Sequence, residues 1–116
     1  MDAIFIEELR LQAQVGIYPR ELLGAQTLEI NLEIELPSGA MEGDDIGATI
    51  DYARVVARLE EKFSQRRFNL LETLAEFVAG IILNEFGARA VRLSVAKIGM
   101  MKNARRVGVK IERRQI

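Results

Sequence analysis

The chain has neither cysteine nor histidine among its 116 residues. Without cysteine there are no disulfides and no thiol chemistry. Without histidine the commonest general acid or base and the commonest metal ligand are missing. A zinc site would have to consist of carboxylates alone, against that metal's preference for nitrogen and sulfur. Any proton transfer therefore falls to Asp, Glu, Lys, Tyr or Ser/Thr. An excess of charge of one sign is missing too: 16 Lys and Arg stand against 17 Asp and Glu, so nothing points to a nucleic acid or a membrane surface as partner. There is no glycine-rich phosphate loop, no internal repeat and no low-complexity linker. The apolar runs are shorter than the ~20 residues of a bilayer span. Met1-Asp2 leads straight into a strand pattern with no basic n-region, so no signal peptide and a cytoplasmic location are expected.

The chain is long enough for one domain with one modest core, 1–116. Ile4, Ile6, then Leu9, Leu11 and Ala13 alternate with polar residues, with a phase slip at Glu7-Glu8; the spacing predicts a strand with a bulge. Gly16 to Gly24, with Pro19 inside, reads as a loop. Leu28, Ile30, Leu32, Ile34 and Leu36 alternate strictly with Glu29, Asn31, Glu33 and Glu35, the pattern of a strand with one apolar and one charged face. Asp51 can cap a helix running to about Gln65, with Val55, Val56, Leu59 and Phe63 on its buried side. Arg66 to Phe68 reads as a link. The most apolar helix-length run is Asn69–Phe86, NLLETLAEFVAGIILNEF, with Asn69 as N-cap, Glu72 at capping-box spacing and Gly87 as a left-handed stop. Val91, Leu93 and Val95 form a third strand whose phase places Lys97 on the apolar side. After a turn at Gly99–Asn103, Val107, Val109 and Ile111 form a fourth.

The order strand, strand, helix, helix, strand, strand predicts an α+β fold, ββααββ: a four-stranded antiparallel sheet with two helices packed on one face. Glu29, Glu33, Glu35, Arg92 and Lys110 would face water on the other. Two long open sheet edges are a liability that closing several subunits into a barrel would remove, so oligomerisation is expected.

Four side chains stand out as chemically capable: Glu72, Lys97, Tyr52 and Glu21. Each also has an ordinary reading. Glu72 can do no more than close a capping box, Lys97 can snorkel to water, Tyr52 can be a half-buried aromatic and Glu21 a solvated loop carboxylate. The pattern alone favours these.

The whole chain, however, resembles the dihydroneopterin aldolase family of the T-fold, or tunnelling-fold, superfamily. The resemblance is carried by DAIFIEEL, VGIYPREL, QTLEINLEIEL, DDI with IDYARV, RFNLLETLAEFVA and KIGMMKNARRVGVKIER. It implies roles for these residues. Glu72 would hold a pterin through its 2-amino and ring N–H groups, as an acceptor-only carboxylate can. Lys97 matches the family's catalytic lysine, Tyr52 its catalytic tyrosine, and Glu21 the glutamate that places the lysine. Backbone groups near Ile50 and Leu71 would complete the pocket. It also implies retro-aldol cleavage of 7,8-dihydroneopterin in folate biosynthesis without metal or cofactor, 2′-epimerase activity through the same intermediate, and pockets between subunits of tetrameric rings that stack into octamers. One departure is visible. Many aldolases follow the lysine with proline and small residues, whereas this chain reads Lys97-Ile98-Gly99-Met100-Met101-Lys102. An epimerase paralogue acting on dihydroneopterin triphosphate, with Lys102 and Arg105 near the phosphates, stays open as an alternative. So does a non-catalytic pterin- or purine-binding subunit, although such a protein would need Glu72 and not Lys97.

Overall fold

A computed structural model describes all residues, 1–116. Strand β1 is Ala3–Val15 and β2 is Gln26–Glu35, joined through a one-turn 3₁₀ helix at Pro19–Leu23. A second 3₁₀ turn, Ile46–Ala48, precedes helix α1, Tyr52–Gln65. A two-residue strand β3, Arg67–Phe68, leads into helix α2, Leu71–Glu85, and the chain closes with β4, Ala90–Met101, and β5, Ala104–Arg114.

The sheet has five strands in the order β3-β1-β2-β4-β5, where four were expected. The extra strand is the supposed link after α1: Arg67 and Phe68 pair in parallel with Gln14 and Val15. Two residues leave no periodic signal, which is why the pattern is silent on it. All other pairings are antiparallel. The expected bulge in β1 is present. The register slips between Ile6 and Leu9, and Glu8 takes φ 55°.

Alternation dictates the layers. Leu28, Ile30, Leu32 and Ile34 of β2 and Val91, Leu93 and Val95 of β4 turn to one face, where Val55, Leu59 and Phe63 of α1 and Leu74, Val78 and Ile82 of α2 cover them, all buried in one cluster. Asp51 caps α1 as expected, its side chain accepting from the Ala53 N–H at 3.0 Å. Gly87 ends α2 at φ 69°. Phe68 is buried between Phe63 and Phe77, with ring centroids at 6.3 and 5.3 Å, so the short strand anchors the helix layer to the end of β1.

The helix-free face of the sheet is a ladder of charges. Arg92 lies between Glu33 and Glu112 at 3.5 and 3.3 Å, and Arg114 meets Glu35 at 2.9 Å. Glu29, expected to face water, is only 4% exposed. Arg10 from the neighbouring strand β1 and Arg106 from β5, reaching across β4, pair with its two oxygens, which is how a carboxylate on an open sheet face loses its solvent.

Gly108 shows how closely β5 approaches β4. It lies opposite Ala96, and a Cβ there would run into the Val95 carbonyl and the Ala96 Cα, at 2.8 Å from the latter. Both are backbone atoms that cannot step aside. Gly108→Ala is expected to lower unfolding free energy by about 2 kcal/mol through overpacking, measurable as a reduced denaturation midpoint. A midpoint equal to wild type would mean that the two strands are not this close.

Candidate active site

The strand directions fix two ends of the molecule. β1 finishes at Val15, β2 starts at Gln26 and β4 reaches Lys97, which sits opposite Leu28. All three belong to one end. The start of α2 belongs there as well, because Gly16 donates its N–H to the Phe68 carbonyl at 3.0 Å, two residues before Leu70, the N-cap of α2.

At that end Lys97 and Glu21 meet. The Lys97 Nζ donates to Glu21 Oε2 at 2.5 Å. The other carboxylate oxygen, Oε1, accepts from the backbone N–H groups of Ile17 and Tyr18, each at 3.2 Å. The Glu21 side chain is 1% exposed and that of Lys97 13%. Neither ordinary reading survives: Glu21 is not a solvated carboxylate and Lys97 does not snorkel. Burial pushes the Glu21 carboxyl up, but the Lys97 ammonium and the Tyr18 and Ile17 N–H groups together outweigh it and hold the carboxyl below its ordinary value.

The local sequence explains the geometry. Pro19 opens the 3₁₀ turn with its fixed φ, and the Glu21 N–H closes onto the Tyr18 carbonyl at 2.8 Å. The carboxylate then folds back over Gly16. At φ 136° and in contact with the Glu21 side chain, Gly16 has no room for a Cβ. Arg67 holds Gly16 from the other side through its carbonyl. Sequence reading missed this role of Arg67, as it missed β3. The signal available was a glycine three residues ahead of the Pro-Arg-Glu turn.

Helix α2 corrects a second expectation. It starts at Leu71, its N-cap is Leu70, and no side chain caps it. Asn69, the expected cap, instead accepts from the Arg67 Nη1 at 2.8 Å. The capping box with Glu72 does not form because Arg67 takes the acceptor. Glu72 therefore lies in the first turn, exposed, beside backbone N–H groups that a helix start leaves without intrahelical partners. Leu71 is buried next to it. A carboxylate and free N–H donors together can receive a planar ligand that offers both donors and acceptors.

Tyr52 and Ile50 are not brought to this end. Tyr52 opens α1 and Gln65 closes it; the helix delivers the chain to β3, beside Val15. α1 is 14 residues long, a span of roughly 20 Å. Within one chain Tyr52 thus lies at the far end from Glu21, Lys97 and Glu72. It is 62% exposed, while Ile50 before it is buried. No cluster of carboxylates capable of holding a metal ion occurs in the chain.

A sheet of antiparallel hairpins backed on one face by two helices inserted between them is the architecture of a T-fold protein. The comparisons narrow the class. The model of the dihydroneopterin aldolase (FolB) family matches residues 4–112. The dihydroneopterin aldolase of Escherichia coli K12 is 33% identical over 114 residues, 97% of this chain and 93% of that protein. The crystal structure of E. coli dihydroneopterin aldolase in complex with neopterin superposes with a TM-score of 0.89 at 33% identity, covering 97% of this chain and 99% of that one. A dihydroneopterin triphosphate 2′-epimerase of Pseudomonas aeruginosa is 27% identical over 110 residues, 94% of this chain and 89% of that protein. The chain belongs to the dihydroneopterin aldolase family.

The Glu21–Lys97 pair sets a pH dependence. A carboxyl whose value is lowered on folding stabilises the protein above its unfolded value, and that contribution disappears as pH falls through the folded value. Glu21→Gln is expected to cost about 1–3 kcal/mol at pH 7, since Lys97 is left largely buried without its partner. The gap from wild type should close on acidification below the ordinary carboxylate range. Thermal melting of both proteins between pH 7 and 3 checks this; a constant gap would contradict it.

Proposed function

We propose that the protein is a dihydroneopterin aldolase of folate biosynthesis, a cytoplasmic carbon–carbon lyase that uses no metal or cofactor. The observation that carries this reading is the buried Lys97–Glu21 pair at the same end of the fold as the uncapped start of α2 with Glu72. A binding-only protein would use the second and has no need of the first.

The substrate supplies its own electron sink. In 7,8-dihydroneopterin the imine C6=N5 adjoins C1′, and the bond to be broken is C1′–C2′. A base takes the 2′-hydroxyl proton, C2′ becomes the carbonyl of glycolaldehyde, and the bonding pair moves through C6 to N5, which is protonated. Protonation of the resulting enamine at C1′ and loss of the N5 proton restore the imine and give 6-hydroxymethyl-7,8-dihydropterin. No lysine Schiff base is required. Lys97 is the principal acid/base group, Glu21 orients it, and Tyr52 relays protons through water. Glu72 accepts two parallel hydrogen bonds from the pterin, and backbone groups near Leu71 and Ile50 close the pocket. Re-addition of glycolaldehyde to the other face gives 2′-epimerisation.

Tyr52 and Ile50 reach the site from a neighbouring subunit. What supports this is the length of α1, which separates them from Lys97 within one chain. Both ends also expose apolar side chains, Ile17, Tyr18, Leu22 and Leu23 at the Lys97 end and Met41, Ile46 and Tyr52 around the other. Head-to-tail contact between unlike patches closes into a ring, the expected tetramer that pairs into an octamer. It would also protect the β5 edge and most of the β1 edge, which β3 covers at two residues only. The second reading, an epimerase for dihydroneopterin triphosphate, is favoured by the P. aeruginosa relative.

Incubation with dihydroneopterin and with its triphosphate, with products separated by chromatography, distinguishes the readings. Hydroxymethyl-dihydropterin is expected; epimer from the triphosphate without cleavage would establish the epimerase instead, and neopterin binding without turnover a binding subunit. Lys97→Ala should lower kcat by about 10²–10⁴-fold and change neopterin affinity little. Glu72→Ala should weaken binding by roughly 10²-fold, the loss of two charge-assisted hydrogen bonds. The reverse pattern would refute the roles. For the shared site, Tyr52→Phe and Lys97→Ala variants unfolded and reassembled together should recover activity at about a quarter of the sites, because random assembly leaves that fraction with both native residues. No recovery in confirmed mixed oligomers would place the site within one chain.

A further inference from the structure

The loop after Lys97 is where this sequence departs from many aldolases, and the structure shows what holds it. β4 continues past Lys97 to Met101, and the β4–β5 register slips between Ile98 and Met101, with Gly99 at φ 71°. A slipped ladder is a weak place in a hairpin, since the paired hydrogen bonds are locally interrupted. The segment that carries Glu21 is a single 3₁₀ turn, Pro19–Leu23, also a weak element by itself. Two side-chain contacts join these two segments. One is Glu21 to Lys97. The other is Arg20, whose Nη2 donates to the Met100 carbonyl at 2.7 Å.

The two contacts use adjacent residues on the turn and residues three apart on the hairpin, so they act as a pair of struts. One strut alone leaves the turn and the hairpin free to pivot about the Lys97–Glu21 contact. The second removes that freedom. Arg20 is suited to this because its long side chain spans from an exposed turn to a backbone carbonyl, an acceptor that no substitution at Met100 can remove. A charged donor also makes the stronger kind of hydrogen bond to that acceptor.

We propose that Arg20 is a positioning residue: by tying the Glu21 turn to the bulged Met100 backbone, it fixes the orientation in which Lys97 meets both Glu21 and the substrate. This rests on the aldolase reading for its kinetic consequence and on the structure alone for its effect on Lys97. The bulky segment Ile98–Lys102, the end of β4 and the start of its turn, is thereby a braced part of the site.

The test uses Arg20→Met, which keeps the stem and removes the donor, Arg20→Gln, which is polar and too short to span, and Arg20→Lys, which restores a donor. Two readouts are independent. The first is the rate at which a limiting acetylating reagent modifies Lys97, relative to Lys62 on α1, followed by peptide mass spectrometry. Arg20→Met and Arg20→Gln are expected to raise relative labelling of Lys97 by about five-fold through local loosening, with Arg20→Lys near wild type. The second is turnover of dihydroneopterin. A misoriented acid/base group lowers kcat by about ten-fold with KM within about two-fold, again recovered by Arg20→Lys. Unchanged Lys97 labelling overturns the proposal. So does a parallel rise at Lys62, which would mean a general structural role, or an unaltered kcat in an active enzyme. A wild-type protein inert toward dihydroneopterin would refute the aldolase reading, while the labelling would still decide the part played by Arg20.

Discussion

A buried carboxylate that must stay ionised is the constraint on which this end of the molecule depends. Glu21 is almost without solvent, and taking a charge out of water is costly unless every lone pair is used. Three donors serve it: the Lys97 ammonium and the N–H groups of Ile17 and Tyr18. Each comes from an element that something else must place. The two N–H groups need the chain to double back at Gly16, which needs a residue without a Cβ. Gly16 in turn needs Phe68 and Arg67, and so the two-residue strand β3. Lys97 needs β4 in register with β2. A short loop, a fragmentary strand and a central strand are tied together through one ion pair.

The same strand explains the state of α2. Arg67 faces two acceptors, the Gly16 carbonyl and the Asn69 side chain. By taking Asn69 it keeps the helix start from being capped, and the helix begins one residue later than its composition suggests. A helix end without a side-chain cap gives up about 1 kcal/mol of local stability. Here the loss is absorbed by the burial of Leu71, Leu74, Ala75, Val78, Ile81 and Ile82, which hold α2 on the sheet whatever its first turn does. A core helix can thus present open N–H groups and an unpaired carboxylate at its mouth.

The separation of Tyr52 from Glu72, Lys97 and Glu21 follows from the helix layer. α1 and α2 run antiparallel along the sheet: the end of α1 at Gln65 leads within six residues to the start of α2 at Leu71, while Arg58 in the middle of α1 meets Glu85 at the end of α2 at 2.8 Å. The residue that opens α1 and the residue that opens α2 are then necessarily apart. Only a second chain can bring a Tyr52 next to a Glu72. On the proposed reading, the separation of Tyr52 from Glu72, the exposed apolar ends and the open sheet edges would all be answered by one contact between subunits.

The sequence by itself determined the parts whose physics is local and periodic. Alternation marked β1, β2, β4 and β5 and their apolar faces, Asp51 and Gly87 marked helix limits, and the phase of β4 put Lys97 on the inner side. The absence of histidine and cysteine confined any proton transfer to Asp, Glu, Lys, Tyr and Ser/Thr. What tertiary structure decided depended on partners distant in sequence. Arg67 diverted Asn69 from its cap. Arg10 and Arg106 buried Glu29, which alternation alone had left to water. β3 exists only because Val15 is there to pair with it. Glu21 and Lys97, 76 residues apart, each have an ordinary reading in the chain and become a buried ion pair when a glycine turn and a strand register set them 2.5 Å apart. Periodicity records which face a residue takes, and it carries no information on which residue will be opposite.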